Sequence, residues 1–111
     1  MTLAKLVKLP EGNYGYEENG IFVTNPTLSK SGPVSPELNG FHIYGTGGGC
    51  TAWRREFQDK MYMLITNGDL GHNIEPDDEC DFGVYQDDGN DELCLACWTM
   101  DESELKCMYC L

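Results

Sequence analysis

Between Met61 and Leu105 the sequence contains no lysine and no arginine. These 45 residues carry 13 of the 19 acidic residues, whereas residues 1–60 carry six acids and six bases. The formal net charge of −12 therefore comes from the second half of the chain. Because a segregated negative field repels nucleic acid and anionic membranes, we exclude direct binding to either and expect a basic partner.

The sequence also lacks any apolar run near the roughly 18 residues that a membrane-spanning helix needs. Residues 1–9 interleave lysines with apolar residues and have no small-residue cleavage site, which argues against a secretory signal. We therefore expect a cytoplasmic protein. In that compartment the six cysteines stay reduced or bind metal.

Short runs of β-forming residues separated by turn signals determine the expected fold class. The run Gly45–Gly49 lacks the Lys-Ser/Thr ending of a phosphate-binding loop and precedes a strand, so we interpret it as a hairpin connection. The sequence predicts a mostly β fold, a small antiparallel meander that forms a curled sheet or a sandwich. Strands are expected at residues 3–9, 21–24, 41–44, 50–57, 61–66, 80–86 and 92–100, with loops at 10–15 and 25–40.

A chain of 111 residues is expected to form one domain. Asp101, followed three residues later by Glu104, resembles a capping box, which predicts a short C-terminal helix. The domain then consists of a strand-and-loop lead-in at 1–40, a meander core at 41–100 and a cysteine-containing tail at 101–111.

Alternation along a strand assigns side chains to opposite faces of a sheet. In residues 50–57 this places Thr51, Trp53, Arg55 and Phe57 on one face. The last two strands form a hairpin through Asp87-Asp88-Gly89-Asn90. In this hairpin we expect four side chains to face the core: Phe82, Val84, Leu93 and Leu95.

The acidic segment is the first candidate binding site. Same-face residues of a strand lie about 6.6 Å apart, and phosphates follow one DNA strand about every 3.4 Å. A carboxylate on alternate residues therefore reaches about half the linear charge density of DNA, and loop acids add to it. A protein that binds nucleic acid through a basic groove could accept such a face; the alternative is an acidic surface that only maintains solubility. The expected contact set is Asp77, Asp78, Glu79, Asp81, Asp87, Asp88, Asp91 and Glu92.

Two Cys-x-x-Cys pairs, Cys94/Cys97 and Cys107/Cys110, together have the form of a four-thiolate zinc site. In a regular strand Cys94 and Cys97 point to opposite faces, which argues against zinc. A bulge at Leu95-Ala96 would bring both thiols to one face. The alternative is free thiols that pack as small apolar side chains.

A cysteine-dependent enzyme is the third alternative. Cys50 could act as a nucleophile if His42 or His72 lay within hydrogen-bonding distance, with Asp69 to orient the imidazole. Because the sequence cannot establish that geometry, we expect a non-enzymatic protein.

The stretch Thr-Gly-Gly-Gly-Cys-Thr-Ala-Trp-Arg at residues 46–54, followed by Leu-Ile-Thr-Asn-Gly-Asp-Leu-Gly-His at 64–72, resembles small uncharacterised proteins of phage and metagenomic origin. In those proteins the pattern continues to a hairpin like Phe82-Gly-Val-Tyr85. The resemblance covers about residues 41–100 and implies no activity. By analogy of size and charge alone, it suggests an acidic inhibitor of restriction or CRISPR machinery.

These observations predict a phage-type acidic inhibitor or binding protein that docks on a basic, nucleic-acid-binding host protein, imitating nucleic acid. It needs no cofactor. The alternative is a structural or adaptor domain stabilised by zinc at the four cysteines. The sequence leaves the identity of the partner and the oligomeric state open.

Overall fold

The computed structural model describes residues 4–9, 14–23, 40–67, 69–73 and 80–99. These residues form two antiparallel sheets and one 3₁₀ turn at Gln58–Lys60. The small sheet has the order β1-β2-β3 and the large sheet the order β4-β5-β6-β7-β8, so the mostly β meander is confirmed. The strands are β1 Lys5–Lys8, β2 Tyr14–Glu18, β3 Ile21–Val23, β4 His42–Gly47, β5 Cys50–Glu56, β6 Met61–Thr66, β7 Asp81–Asp87 and β8 Glu92–Thr99.

The core lies between the two sheets. From the large sheet, Trp53, Phe57, Met63, Ile65, Phe82 and Val84 face inward, and Ala4 and Tyr16 contact them from the small sheet. Arg55 shares this inner face: its guanidinium lies 4.9 Å from the centre of the Tyr16 ring and pairs with Glu18. The expected common face of Trp53, Arg55 and Phe57 is confirmed, and Arg55 links the two sheets.

Strand β2 was not expected from the sequence, which predicted a loop over residues 10–15. Gly15 permits this strand, because a Cβ atom there would lie 2.8 Å from the Phe22 ring. The predicted loop at 25–40, apart from Gly40, and the predicted C-terminal helix lie outside the described residues. No helix in the described part of the chain is long and apolar enough to cross a membrane.

The β7–β8 pairing contains a bulge that corrects one prediction. Val84 pairs with Ala96, but the next residue, Tyr85, pairs with Cys94, so Leu95 is an extra residue. Leu95 is 36% exposed and Leu93 is 49% exposed, so the prediction that both face the core is wrong. Their place is taken by Trp98, whose ring stacks on Phe82 at 5.3 Å.

Candidate functional site

The connection between β7 and β8 is a tight turn closed by its own acidic side chains. Asp87 Oδ1 accepts a hydrogen bond from the Gly89 N–H at 2.9 Å. Asp88 Oδ1 accepts bonds from the N–H groups of Asn90 at 3.1 Å and Asp91 at 2.7 Å. Gly89 has φ +98°, a conformation that favours glycine. These contacts fix the turn without neutralising its charge.

We call Asp87, Asp88, Asp91 and Glu92 the acidic tip. All four side chains are exposed. Asp87 pairs directly with Glu92 across the two strands, so two acidic residues occupy opposite positions of the hairpin. The N–H groups of Asp91 and then Asn90 lower the pKa of Asp88, which keeps this carboxylate ionised. The tip thus carries four negative charges within six residues.

The rest of the expected contact set does not join this cluster within the described residues. Asp81 is exposed at the opposite end of β7, about 20 Å from Asp87 at the usual rise per residue. Its Oδ1 accepts a hydrogen bond from the Thr99 hydroxyl at 3.1 Å. Asp77, Asp78 and Glu79 lie outside the described residues. The described acids of the set are therefore divided between the two ends of the sheet.

The two arginines of the chain are held by other groups, Arg54 on the outer face of the large sheet and Arg55 between the two sheets. Arg54 donates to Glu56 at 2.7 Å and lies 3.8 Å from the centre of the Tyr62 ring and 4.6 Å from that of Tyr44. Arg55 is buried between the sheets, where it pairs with Glu18. Each guanidinium therefore has a carboxylate partner outside the acidic tip, Glu56 for Arg54 and Glu18 for Arg55.

The nearest element to the tip is the 3₁₀ turn, whose Asp59 carbonyl accepts a hydrogen bond from Gln86 Nε2 at 3.0 Å. This turn carries one acid, Asp59, and one base, Lys60, both exposed. Their charges sum to zero, so the turn adds no net charge beside the tip.

The outer face of the large sheet, the side away from the core, carries a row of stacked side chains. The Tyr62 and Tyr85 rings lie 5.4 Å apart and nearly parallel, and Arg54 covers the other side of Tyr62. Among the described residues, the buried Tyr62 hydroxyl has no hydrogen-bond partner. Burial, and then the neighbouring Glu92 carboxylate, raise its pKa well above the ordinary value. This row connects the arginine to the strand that carries the tip.

On the same face the bulge brings two thiols together. Cys94 pairs with Tyr85 and Cys97 with Gly83, so both cysteines point outward, and their Sγ atoms are 2.9 Å apart. The hydrogen bond with Cys94, and then burial, raise the pKa of Cys97. Burial, and then Cys97 and Cys94, raise the pKa of Tyr85. The bulge that zinc binding requires is present.

A cleft of about 520 Å³ lies beside Cys97 on this face. Leu64, Gly83 and Tyr85 line it on one side, and Cys50 and Leu70 line it on the other. Its lining is mostly apolar, with threonine hydroxyls and the Asp81 carboxylate among the polar groups. The cleft therefore places two cysteines from different hairpins at a common space.

Half of the expected zinc set lies within the described residues and half outside. Cys94 and Cys97 form the thiol pair, whereas Cys107 and Cys110 are not described. In the described part of the chain, no three His, Cys, Asp or Glu side chains are grouped as metal ligands. The structure therefore describes only the first pair of the expected zinc ligands.

The structure separates the groups that the enzyme alternative needs. The Thr51 hydroxyl accepts a bond from the His72 N–H at 3.2 Å and contacts His72 Nδ1 at 2.8 Å. Because Cys50 is adjacent to Thr51 in β5, its side chain points to the opposite face. His42 lies 3.9 Å from Glu56, about 13 Å along the sheet from Cys50. His72 therefore serves the structure: its carbonyl also accepts a bond from Trp53 Nε1 at 2.7 Å.

Comparison of the chain with protein-family models, with curated proteins and with solved structures found no match. The resemblance to phage proteins therefore stays a prediction.

Proposed function

We propose that this protein is a non-enzymatic binding protein that docks its acidic tip on the basic groove of a nucleic-acid-binding protein. The observation that supports it is the set of four exposed carboxylates in a turn closed by hydrogen bonds. A fixed array of charges loses little conformational entropy on binding, which favours recognition over mere solubility.

The spacing within the tip suits a groove that normally holds phosphates. Directly paired residues of an antiparallel hairpin have Cβ atoms about 5 Å apart, closer than the roughly 6.6 Å between same-face residues of one strand. Asp87 and Glu92 form such a pair. Asp88 and Asp91 add two more charges nearby. The local charge density of the tip is therefore higher than that of alternate residues along one strand, and it is closer to the charge density of a nucleic-acid strand.

The resemblance to phage proteins suggests the class of partner. A restriction or CRISPR nuclease of the host has a basic groove that an acidic hairpin could block. Electrostatic attraction would make association fast at low salt and slower as ionic strength rises. The proposed interface is therefore centred on the acidic tip and not on the longer contact set expected from the sequence.

The test is retention of nuclease-treated host lysate proteins on the immobilised full chain. We expect a basic protein to bind at low salt, to elute as salt rises and to be displaced by added duplex DNA. Displacement by DNA is the decisive readout, because a partner held elsewhere on its surface would stay bound.

Two matched variants locate the interface. Asp91→Asn/Glu92→Gln and Glu17→Gln/Asp69→Asn each remove two exposed negative charges, so they differ only in position. We expect the tip variant to reduce the association rate on the order of tenfold at low salt, and the control variant to change it much less. Equal retention by both variants would contradict docking through the tip.

A second proposal, a zinc-stabilised structural or adaptor domain, is favoured by the shared face of Cys94 and Cys97. Two thiolates on tetrahedral zinc lie about 3.8 Å apart at a Zn–S distance of about 2.3 Å, so the pair must open by about 0.9 Å. Metal analysis of the purified full chain tests it. Stoichiometric zinc that is lost in Cys107→Ser/Cys110→Ser and kept in Cys50→Ser supports the proposal; a metal-free wild type rejects it.

A further inference from the structure

Among the described cysteines, the buried Cys80 differs from the pair Cys94 and Cys97. Cys80 is 1% exposed and packs in the core as a small apolar side chain does. Cys94 and Cys97 are both exposed on the outer face, where they contribute nothing to the core. Packing therefore explains Cys80 and leaves the exposed pair without a structural role.

The distance between the exposed thiols is close to that of a covalent link. Their Sγ atoms are 2.9 Å apart, and the bond in a disulfide is about 2.05 Å long. Closing the pair needs a movement of about 0.9 Å, which side-chain rotation can supply. In a regular strand, residues three apart point to opposite faces, so only the bulge at Leu95 makes this link accessible.

We propose that Cys94 and Cys97 are a thiol–disulfide exchange site that closes to a reversible intramolecular disulfide, with a low-molecular-weight disulfide as the oxidant. This inference does not depend on the acidic tip. It also makes zinc binding and disulfide formation alternative fates of the same two sulfurs.

The exchange takes two steps, which the separation of 2.9 Å between the two exposed sulfurs allows. The thiolate form of a cysteine is the attacking group. The Cys94 thiolate attacks one sulfur of the small disulfide, the S–S bond of that molecule breaks and one thiolate leaves. Cys97 then loses its proton and attacks Cys94 Sγ, which forms the Cys94–Cys97 bond and expels the second thiolate. Two protein thiols are oxidised and one disulfide is reduced to two thiols.

The surroundings leave room for this reaction. Cys97 borders the cleft of about 520 Å³, and Cys94 is exposed beside it. The Tyr85 side chain lies over Gly83 and contacts Cys97, so the approach is from the side of the exposed Cys94. An incoming disulfide can therefore approach the pair from the outer face without opening the core.

The test treats the folded full chain, with a metal chelator present, with glutathione buffers of increasing oxidised fraction. Thiols that remain are alkylated and the disulfides are mapped by mass spectrometry. We expect the loss of two alkylatable thiols per chain and a Cys94–Cys97 link. Cys97→Ser should instead accumulate glutathione on Cys94, and Cys50→Ser should behave as the wild type.

Two results would overturn the proposal. One is a wild type that carries stable glutathione adducts at Cys94 or Cys97 without closing the link. The other is a link from either cysteine to Cys50, Cys107 or Cys110. Because the mapping is made on the wild type, it decides the question even if a variant fails to fold.

Discussion

The acidic tip is expected to reduce the stability of the free protein, and Glu92→Gln tests this. Glu92 pairs directly with Asp87, and like charges in such a position destabilise a hairpin. Glutamine has nearly the same shape and keeps an oxygen acceptor close to the Tyr62 hydroxyl. The substitution therefore removes the repulsion while leaving the packing in place.

The size of the effect follows from the register. With about 6 Å between the paired carboxylates, their repulsion in water is about 0.7 kcal/mol. Salt screens this repulsion. With a Debye length of about 30 Å at 0.01 M salt, about 0.6 kcal/mol of the repulsion remains, and with a Debye length of about 3 Å at 1 M salt, about 0.1 kcal/mol remains. We therefore expect Glu92→Gln to raise the free energy of unfolding by about 0.5 kcal/mol at low salt and by almost nothing at 1 M.

The assay is thermal or urea unfolding at both salt concentrations. A gain of about 0.5 kcal/mol corresponds to about 2–4 °C in Tm for a domain of this size. Glu17→Gln is the matched control, because Glu17 is an exposed strand residue that pairs with Lys5. Its loss should lower stability by about 0.2–0.5 kcal/mol at low salt. If Glu92→Gln lowers stability, or raises it equally at both salt concentrations, the tip is not a site of charge repulsion.

Three further changes probe the rest of the structure. Gly83→Ala places a Cβ atom 2.6 Å from the Tyr85 ring and should cost about 1–2 kcal/mol in unfolding experiments while displacing that ring. Trp98→Ala removes the half-buried ring that stacks on Phe82 and should cost about 1–3 kcal/mol by the same measurement. The pKa of Asp88 is lowered in the folded protein, so the ionised carboxylate stabilises the fold. This contribution to the free energy of unfolding is present above the ordinary pKa of 3.8 and is lost as pH falls through the pKa of the folded state. The stability difference between the wild type and Asp88→Asn should therefore shrink as pH falls through and below 3.8, as followed by thermal unfolding.

The meander could be predicted from the sequence because runs of β-forming residues are separated by turn signals. The inner face of β5 is correct through Trp53, Arg55 and Phe57, since burial of one face imposes a period of two on that strand. The bounds predicted for residues 61–66 are those of β6, which is a continuous apolar run between two turns and does not alternate.

Strand β2 could not be predicted, because the determinant is a contact distant in sequence. Tyr14-Gly-Tyr-Glu-Glu contains glycine and two acids, which β-strands disfavour. The segment pairs with β1 and β3, and Gly15 gives the Phe22 ring the space that it occupies. Tertiary packing here overrides the local preference.

The acidic site was predicted as one set because composition gives charge without position. Asp81 and Asp87 belong to the same strand and the same charge class, yet they lie at opposite ends of β7. Turn chemistry is the signal that could have separated them: Asp87-Asp88-Gly89-Asn90 indicates a turn whose carboxylates cap backbone N–H groups. Residues of that turn and its flanks form the tip.

The bulge at Leu95 connects the two sites on the β7–β8 hairpin. In a regular register continued from the Val84–Ala96 pair, Asp87 would face Leu93, and Cys94 would face Gln86 on the inner side of the sheet. The extra residue shifts the pairing, so Asp87 meets Glu92 and Cys94 joins Cys97 on the outer face. By accommodating Leu95, the bulge therefore sets both the paired carboxylates and the close thiols. A disulfide across the bulge would hold this register. Deletion of Leu95 should keep the Asp87–Glu92 repulsion, because these residues still pair in a regular ladder, but it should separate Cys94 and Cys97 to alternate positions about 6.6 Å apart.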